Sequence, residues 1–134
     1  MGEFIVGVKS IIIYNRKVLL VRRSDENKNW ECPGGTMEFG EDLHTTLRRE
    51  IEEETGLKDI DIGKLLYAMT FTYNPETQYV GLMYLSRAKS DKVKISHEHI
   101  DYKWVDKKQL TELLWKPMLN ELRKIDVLDS LEID

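Results

Sequence analysis

Apolar positions along this chain follow two different periods. From Phe4 to Tyr14 the residues are mostly β-branched or aromatic, and Lys17–Arg22 repeats that character after the polar pair Asn15-Arg16. This pattern predicts a hairpin. Ser24–Asn29 is wholly polar and reads as a loop leading to Trp30, with a short strand expected at Thr36–Phe39. Between Glu41 and Thr55 the period changes: Leu43, Leu47 and Ile51 recur at every fourth position, the stripe of a helix that lays one side on a core. After a connector at Lys58–Ile62, Leu65–Tyr73 and Gln78–Ala88 read as two strands joined by the turn residues Asn74-Pro75-Glu76-Thr77. A polar turn at Lys89–Lys92 precedes a strand at His99–Val105, with Tyr102 and Trp104 on one face. Asp106 is placed to cap a short helix at Lys107–Leu114. Pro117 suits the first turn of a final helix to about Leu128, whose core stripe would be Leu119, Leu122 and Ile125.

The order is strands, helix, strands, helix. No internal repeat, low-complexity stretch or linker interrupts it, so residues 1–134 are expected to form one domain. The expected class is α/β, with a mixed sheet and helices on its faces.

Composition narrows the function classes. Hydrophobic residues make up 41% and charged residues 33%, as in an ordinary globular domain. A net charge of −4 argues against a partner that is a nucleic-acid polymer, which selects basic surfaces. The one cysteine, Cys32, excludes an internal disulfide framework and reads as a small, partly buried filler beside Pro33-Gly34-Gly35. The opening MGEFIVGVKS has no signal-peptide pattern, and no apolar run is long enough to span a bilayer. The expectation is therefore a cytoplasmic protein without membrane association.

The chemistry concentrates in the acidic helix. Glu50, Glu53 and Glu54 stand at i, i+3 and i+4, so a helix gathers three carboxylates on the side opposite its apolar stripe. Like charges so placed destabilise a helix by about 0.2–0.5 kcal/mol per pair, a repulsion that a divalent cation reverses. Hard oxygen ligands favour Mg2+, or Mn2+, over zinc or copper. A solvated acidic face would carry the same glutamates. The flanks argue otherwise: Pro33-Gly34-Gly35 can bring backbone close to a ligand, and Thr55-Gly56 stops the helix just after the last glutamate.

These residues form a longer pattern. Gly35, Glu41, Arg49, Glu50, Ile51, Glu53, Glu54, Gly56 and Leu57 stand at the spacing G-x5-E-x7-R-E-U-x-E-E-x-G-U, where U is bulky and apolar. By chance this match arises at fewer than about one start position in 10⁹. It resembles the box of the Nudix hydrolases. That resemblance implies an α/β/α sandwich and a metal-dependent hydrolase cleaving a nucleoside diphosphate linked to another group. Carried over residue by residue, it makes Glu50, Glu53, Glu54 and the Gly34 carbonyl metal ligands. Arg49 and Glu41 then orient the ligands, as outer partners do at metal sites.

Outside the box, Glu98 lies in HEHIDYKW, a segment similar to the one where MutT-type members carry a further glutamate. The resemblance makes it a candidate metal ligand or proton acceptor, with Glu53, Glu54, His97 and His99 as rivals for the proton. Candidates for substrate contact are Arg22 and Arg23 for phosphate, one of the two facing solvent, and Trp30 and Tyr73 for the attached group, with core packing an equal reading of Trp30. Phe71 and Tyr79 share the second hairpin with Tyr73, and cross-strand packing explains all three equally well.

The short chain looks most like a MutT-type enzyme acting on (d)NTP-type nucleotides. A dinucleoside polyphosphate or nucleotide-sugar hydrolase is the alternative, and a nucleotide-sensing domain without turnover a further one. Tyr73, sixteen residues past Leu57, matches a position where dinucleoside polyphosphate hydrolases carry a tyrosine. The SQPWPFPxS array of NADH pyrophosphatases is missing, as is the proline of ADP-ribose pyrophosphatases. Dimers are frequent in the family, which leaves a homodimer open.

Overall fold

The computed structural model describes residues 1–134. Its organising element is a fork. Strand β1 (Glu3–Tyr14) turns at Asn15-Arg16 into β2 (Lys17–Arg23), yet the two pair only at Ile13–Val18 and Tyr14–Lys17. Beyond that they diverge, and the segment after the polar loop fills the gap. Its first part, β3 (Trp30–Glu31), pairs with β2, and its second, β4 (Gly34–Thr36), pairs with β1, placing Gly34 opposite Lys9.

The other edge of β1 is taken along eleven positions by a parallel strand, β6 (Thr77–Arg87), which forms an antiparallel hairpin with β5 (Asp61–Asn74). The last strand, β7 (His99–Val105), runs antiparallel to the outer edge of β2. The sheet is therefore mixed, as expected.

Alternation along β1 decides what covers each face. Val8 and Ile12 pack with Leu47 and Ile51 of helix α1 (Leu43–Thr55), all fully buried. Each such side chain contributes about 1.5–3 kcal/mol relative to exposure. Ile11 and Ile13 instead meet Leu110 of α2 (Lys107–Leu113) and Leu119 and Leu122 of α3 (Lys116–Lys124). Helices on both faces make the α/β/α sandwich. None of them is long and apolar enough to cross a membrane.

Several expected boundaries move. The strand placed at Thr36–Phe39 lies at Gly34–Thr36, because Gly34 and Gly35 extend opposite Lys9 and Val8 and the chain turns away where Glu41 N bonds Glu38 O. Helix α1 begins after Glu41: the Asp42 carboxylate caps it by accepting from Thr45 N at 2.8 Å, which frees Glu41 to fold back. Strand β5 starts at Asp61 rather than Leu65, with irregular pairing around Ile62 and Leu65. The final helix stops at Lys124. Asp126 then takes a positive φ of 51°, so Ile125 is 41% exposed and the core is completed by Val127 and Leu131.

Candidate functional site

Helix α1 holds its three glutamates at three depths. Glu54, nearest the sheet, is buried; the Glu50 side chain keeps 16% of its accessible area and Glu53 keeps 59%. Arg49 binds the group together. Its guanidinium forks onto Glu41, Nε to Oε2 at 2.7 Å and Nη2 to Oε1 at 2.8 Å, and donates from Nη1 to Glu50 Oε1 at 2.7 Å. Such charge-assisted, two-pronged bonds fix orientation as well as energy. Arg49 Nη1 also lies 3.5 Å from Glu53, and Nη2 donates to Thr36 O at 3.1 Å, which fastens the helix to the end of β4. Glu41 additionally accepts from Thr46 Oγ1 and Glu38 N. The Arg49 bonds, followed by that of Glu38 N, hold its carboxyl down at about 2.

Gly34 joins this helix to the fork. Its φ of 144° favours glycine, and a Cβ there would collide with Val8 O; one on Gly35 would strike the Glu50 carboxylate. The backbone thus comes within reach of the acids. Gly34 N donates to Glu54 Oε2 at 2.8 Å, while Gly34 O accepts from Lys9 Nζ at 3.4 Å. Burial pushes the Glu54 carboxyl up to about 7, against the pull of Lys9 and Gly34 N.

A second carboxylate lies behind it. Glu31 is 3.6 Å from Lys9 Nζ, 3.5 Å from Arg23 Nη1 and 3.3 Å from His99 Nε2. Burial alone would raise its pKa; the His99 bond and the charges of Lys9 and Arg23 together hold it below the ordinary carboxylate range. A carboxylate only accepts, so Nε2 of His99 carries the proton between them. His99 Nδ1 is buried without a partner.

Two cavities open on these groups. The first, about 610 Å³, is polar and lined by Glu50, Glu54, Gly34, His97, Glu98 and Tyr73, among others. The second, about 640 Å³, is apolar and lies between β5, β6 and the start of α3, with Tyr67, Met69, Phe71, Met83, Trp115 and Met118 on its walls. They share Lys9, Arg23, Asp25, Glu31, Tyr73 and Tyr79.

Most of the residues expected at the site lie here: Glu41, Arg49, Glu50 and Glu53 around the Arg49 clamp, and Glu54, Gly34, Glu98, Arg23 and Tyr73 at the cavities. Glu98 is exposed on the segment before β7, anchored by its carbonyl, which accepts from Ser24 N. Two candidates lie elsewhere. Arg22 lines neither cavity; its Nε donates to Lys28 O. Trp30 is 8% exposed, packed in the core with Arg22 and Lys103 over its ring, so it is not available for stacking on a ligand. Alternation along a strand accounts for both, since Arg22 and Trp30 are paired neighbours turned away from Arg23 and Glu31. Cys32 is wholly buried rather than partly so, which pushes its thiol up to about 12.

Lys9, Glu31 and Met69 escape the sequence reading. Lys9 and Glu31 carried one signal, that each is a lone charge inside an apolar stretch, GVKSIII and NWECPGG.

No three acidic, histidine or cysteine side chains stand together at metal-holding distances. The donor set nevertheless fits a hard cation. Glu50, Glu54 and Gly34 line one cavity, which puts two carboxylates and a backbone carbonyl together as oxygen donors.

Known proteins resemble the chain in sequence and in fold. The model of the NUDIX domain matches residues 5–125. An RNA pyrophosphohydrolase of Pelagibacter ubique is 28% identical over 123 residues, covering 78% of this chain and 78% of that protein. A MutT-like protein of Streptomyces ambofaciens is 27% identical over 128 residues, covering 95% of this chain and 77% of the relative. Among solved structures, a MutT protein of Methanosarcina mazei Go1 superposes with a TM-score of 0.80 at 26% identity, with 96% of each chain covered.

Proposed function

The chain belongs to the Nudix hydrolase family, and from that premise we propose that it is a Mg2+- or Mn2+-dependent pyrophosphohydrolase acting on small (d)NTP-type nucleotides. One observation carries the reading: a cavity lined by Glu50, Glu54 and Gly34 shares six lining residues with an aromatic and methionine-lined cavity of similar size. The first suits a cation-bound diphosphate and the second suits the nucleoside beyond it.

Glu50, Glu54 and Gly34 O would hold the cation, with Glu53 completing the set from the exposed side of α1. A bound divalent cation supplies charge neutralisation of the diphosphate and acidification of a water. Everything else falls to the chain. Arg49 keeps Glu50 aimed by occupying its other side, and Glu41 keeps Arg49 from turning away. Arg23, half-exposed at the junction of the cavities, meets phosphate oxygens. Glu98 reaches the polar cavity from a separate segment and takes the proton of the attacking water, a role worth about 10²–10⁴ in rate. Tyr73 lines both cavities and Met69 the apolar one, where they bound the nucleoside.

A second reading has support from the comparison: several relatives are named RNA pyrophosphohydrolases, which makes the 5′-triphosphate end of an RNA a rival substrate. The test is a panel of nucleoside triphosphates, dinucleoside polyphosphates, nucleotide sugars and a 5′-triphosphorylated RNA oligonucleotide, with Mg2+ or Mn2+. Products are separated by chromatography. Pyrophosphate and a mononucleotide from one or more triphosphates is the expected result. Turnover of the RNA end alone would overturn the small-nucleotide reading. No turnover of any member would overturn the enzymatic one.

A further inference from the structure

Lys9 is the one cation in the protein that touches both the expected metal seat and the buried carboxylate behind it. It stands mid-strand in β1 with 16% of its side chain exposed, far less than the 47% of Arg23, which shares Glu31 with it. Its Nζ donates to Gly34 O at 3.4 Å and lies 3.6 Å from Glu31. It lies close enough to Glu54 for the two charges to attract. Gly34 O and Glu54 are two of the groups to which a cation has been assigned above, so the inference rests on that assignment. An ammonium and a divalent ion cannot both sit on one carbonyl oxygen at close range without strong repulsion.

We propose that Lys9 is a tethered counter-cation of the metal site, competing with the divalent ion for Gly34 O and released by it toward the substrate's phosphates. The long side chain makes the exchange feasible, because its four-carbon stem pivots about a Cα held in the central strand. Lys9 lines both cavities, so an ammonium freed from Gly34 O stays at their junction. A phosphate arriving at the junction is the natural acceptor. Metal and substrate would then each favour the other through one side chain. Such coupling is reciprocal and typically amounts to about 5–150-fold in affinity.

The experiment measures Mn2+ binding to the substrate-free protein by electron paramagnetic resonance of the free ion, in wild type, Lys9→Met and Arg23→Met. Lys9→Met keeps the length of the stem and removes the charge. The expected result is Mn2+ binding tighter by about fivefold or more in Lys9→Met, and much less changed in Arg23→Met. A non-hydrolysable nucleoside triphosphate, titrated with Mn2+ present, should bind about fivefold or more weakly to Lys9→Met. Lys9→Gln serves as the second variant if Lys9→Met does not fold. Unchanged or weaker Mn2+ binding on loss of the lysine would overturn the proposal. So would equal tightening in Arg23→Met, since that result needs only the general field of one positive charge. Absence of Mn2+ uptake by wild type and variants alike would instead overturn the metal assignment, and the inference with it.

Discussion

The polar and apolar cavities meet at Lys9, Arg23 and Tyr79, yet the chain builds them in opposite ways. Two acids of the polar one, Glu50 and Glu54, come from a single helix, and Glu50 is fixed by a neighbour in sequence, Arg49, whose bonds to Glu41 and Glu50 span at most eight residues. The apolar one draws its walls from β1, β5, β6 and α3, so its shape exists only when the whole sheet is assembled. On the proposed function, the clamped acids are local and rigidly specified, whereas the nucleoside pocket is distributed and soft, with methionines that conform to what they meet.

If that division holds, the largest effects belong to α1. Glu54→Gln and Glu53→Gln are each expected to lower kcat by about 10³-fold or more at saturating Mg2+, within the range known for loss of an essential group. Circular dichroism melts should show both variants folded, with Glu53→Gln unchanged in Tm because its side chain is mostly exposed. Full activity in either would break the comparison. Arg49→Ala acts one step further out. It frees Glu41 and Glu50, and its expected cost is about 10–100-fold in activity, as for other groups that orient metal ligands. Arg49→Lys should recover little, since an ammonium cannot fork onto a carboxylate.

The apolar side predicts a different kinetic signature. Met69→Ala, at a half-buried wall, should raise KM by about tenfold or less while leaving kcat nearly intact, the mark of binding shared by ground and transition states. A fall in kcat there would show that the two cavities are not separable. The smallest effect concerns acid stability. The folded protein holds Glu41 at about 2, below its ordinary value near 4.3, so its contribution is present above about pH 4 and lost as pH falls toward 2. Urea unfolding midpoints taken from pH 6 down to pH 3 should fall less steeply in Glu41→Gln than in wild type.

The same contrast governs what was legible in the sequence. The α1 stripe and its acids follow from short-range spacing, the mixed sheet from the order of elements, and the clamp from the resemblance to the Nudix box. Leu47 and Ile51 repeat at the helical period, and Arg49 reaches Glu41 across two turns. Glu31 and Lys9 were not legible, because nothing local links them; only the fork in the hairpin sets Gly34 opposite Lys9 and brings Glu31 alongside. Trp30 shows the converse. Its neighbours suggested a ligand contact, but strand alternation turns its ring to the core, where Arg22 and Lys103 cover it. Ile125 kept the helical spacing of Leu119 and Leu122 and still came out exposed, since the backbone at Asp126 ends the helix first.

The long parallel ladder between β1 and β6 has a consequence in time. Its first pair, Glu3 with Thr77, joins residues 74 positions apart, and its last ends at Arg87. A chain emerging from the ribosome can close the first hairpin early, because those contacts are near in sequence. Its central strand must wait for residue 87, keeping one edge open while α1 and its glutamates are already made. Ordering contacts this distant requires closing a large loop before any pairing is gained, which slows folding. The segment that bears the acids is thus synthesised before the strands that complete the apolar cavity.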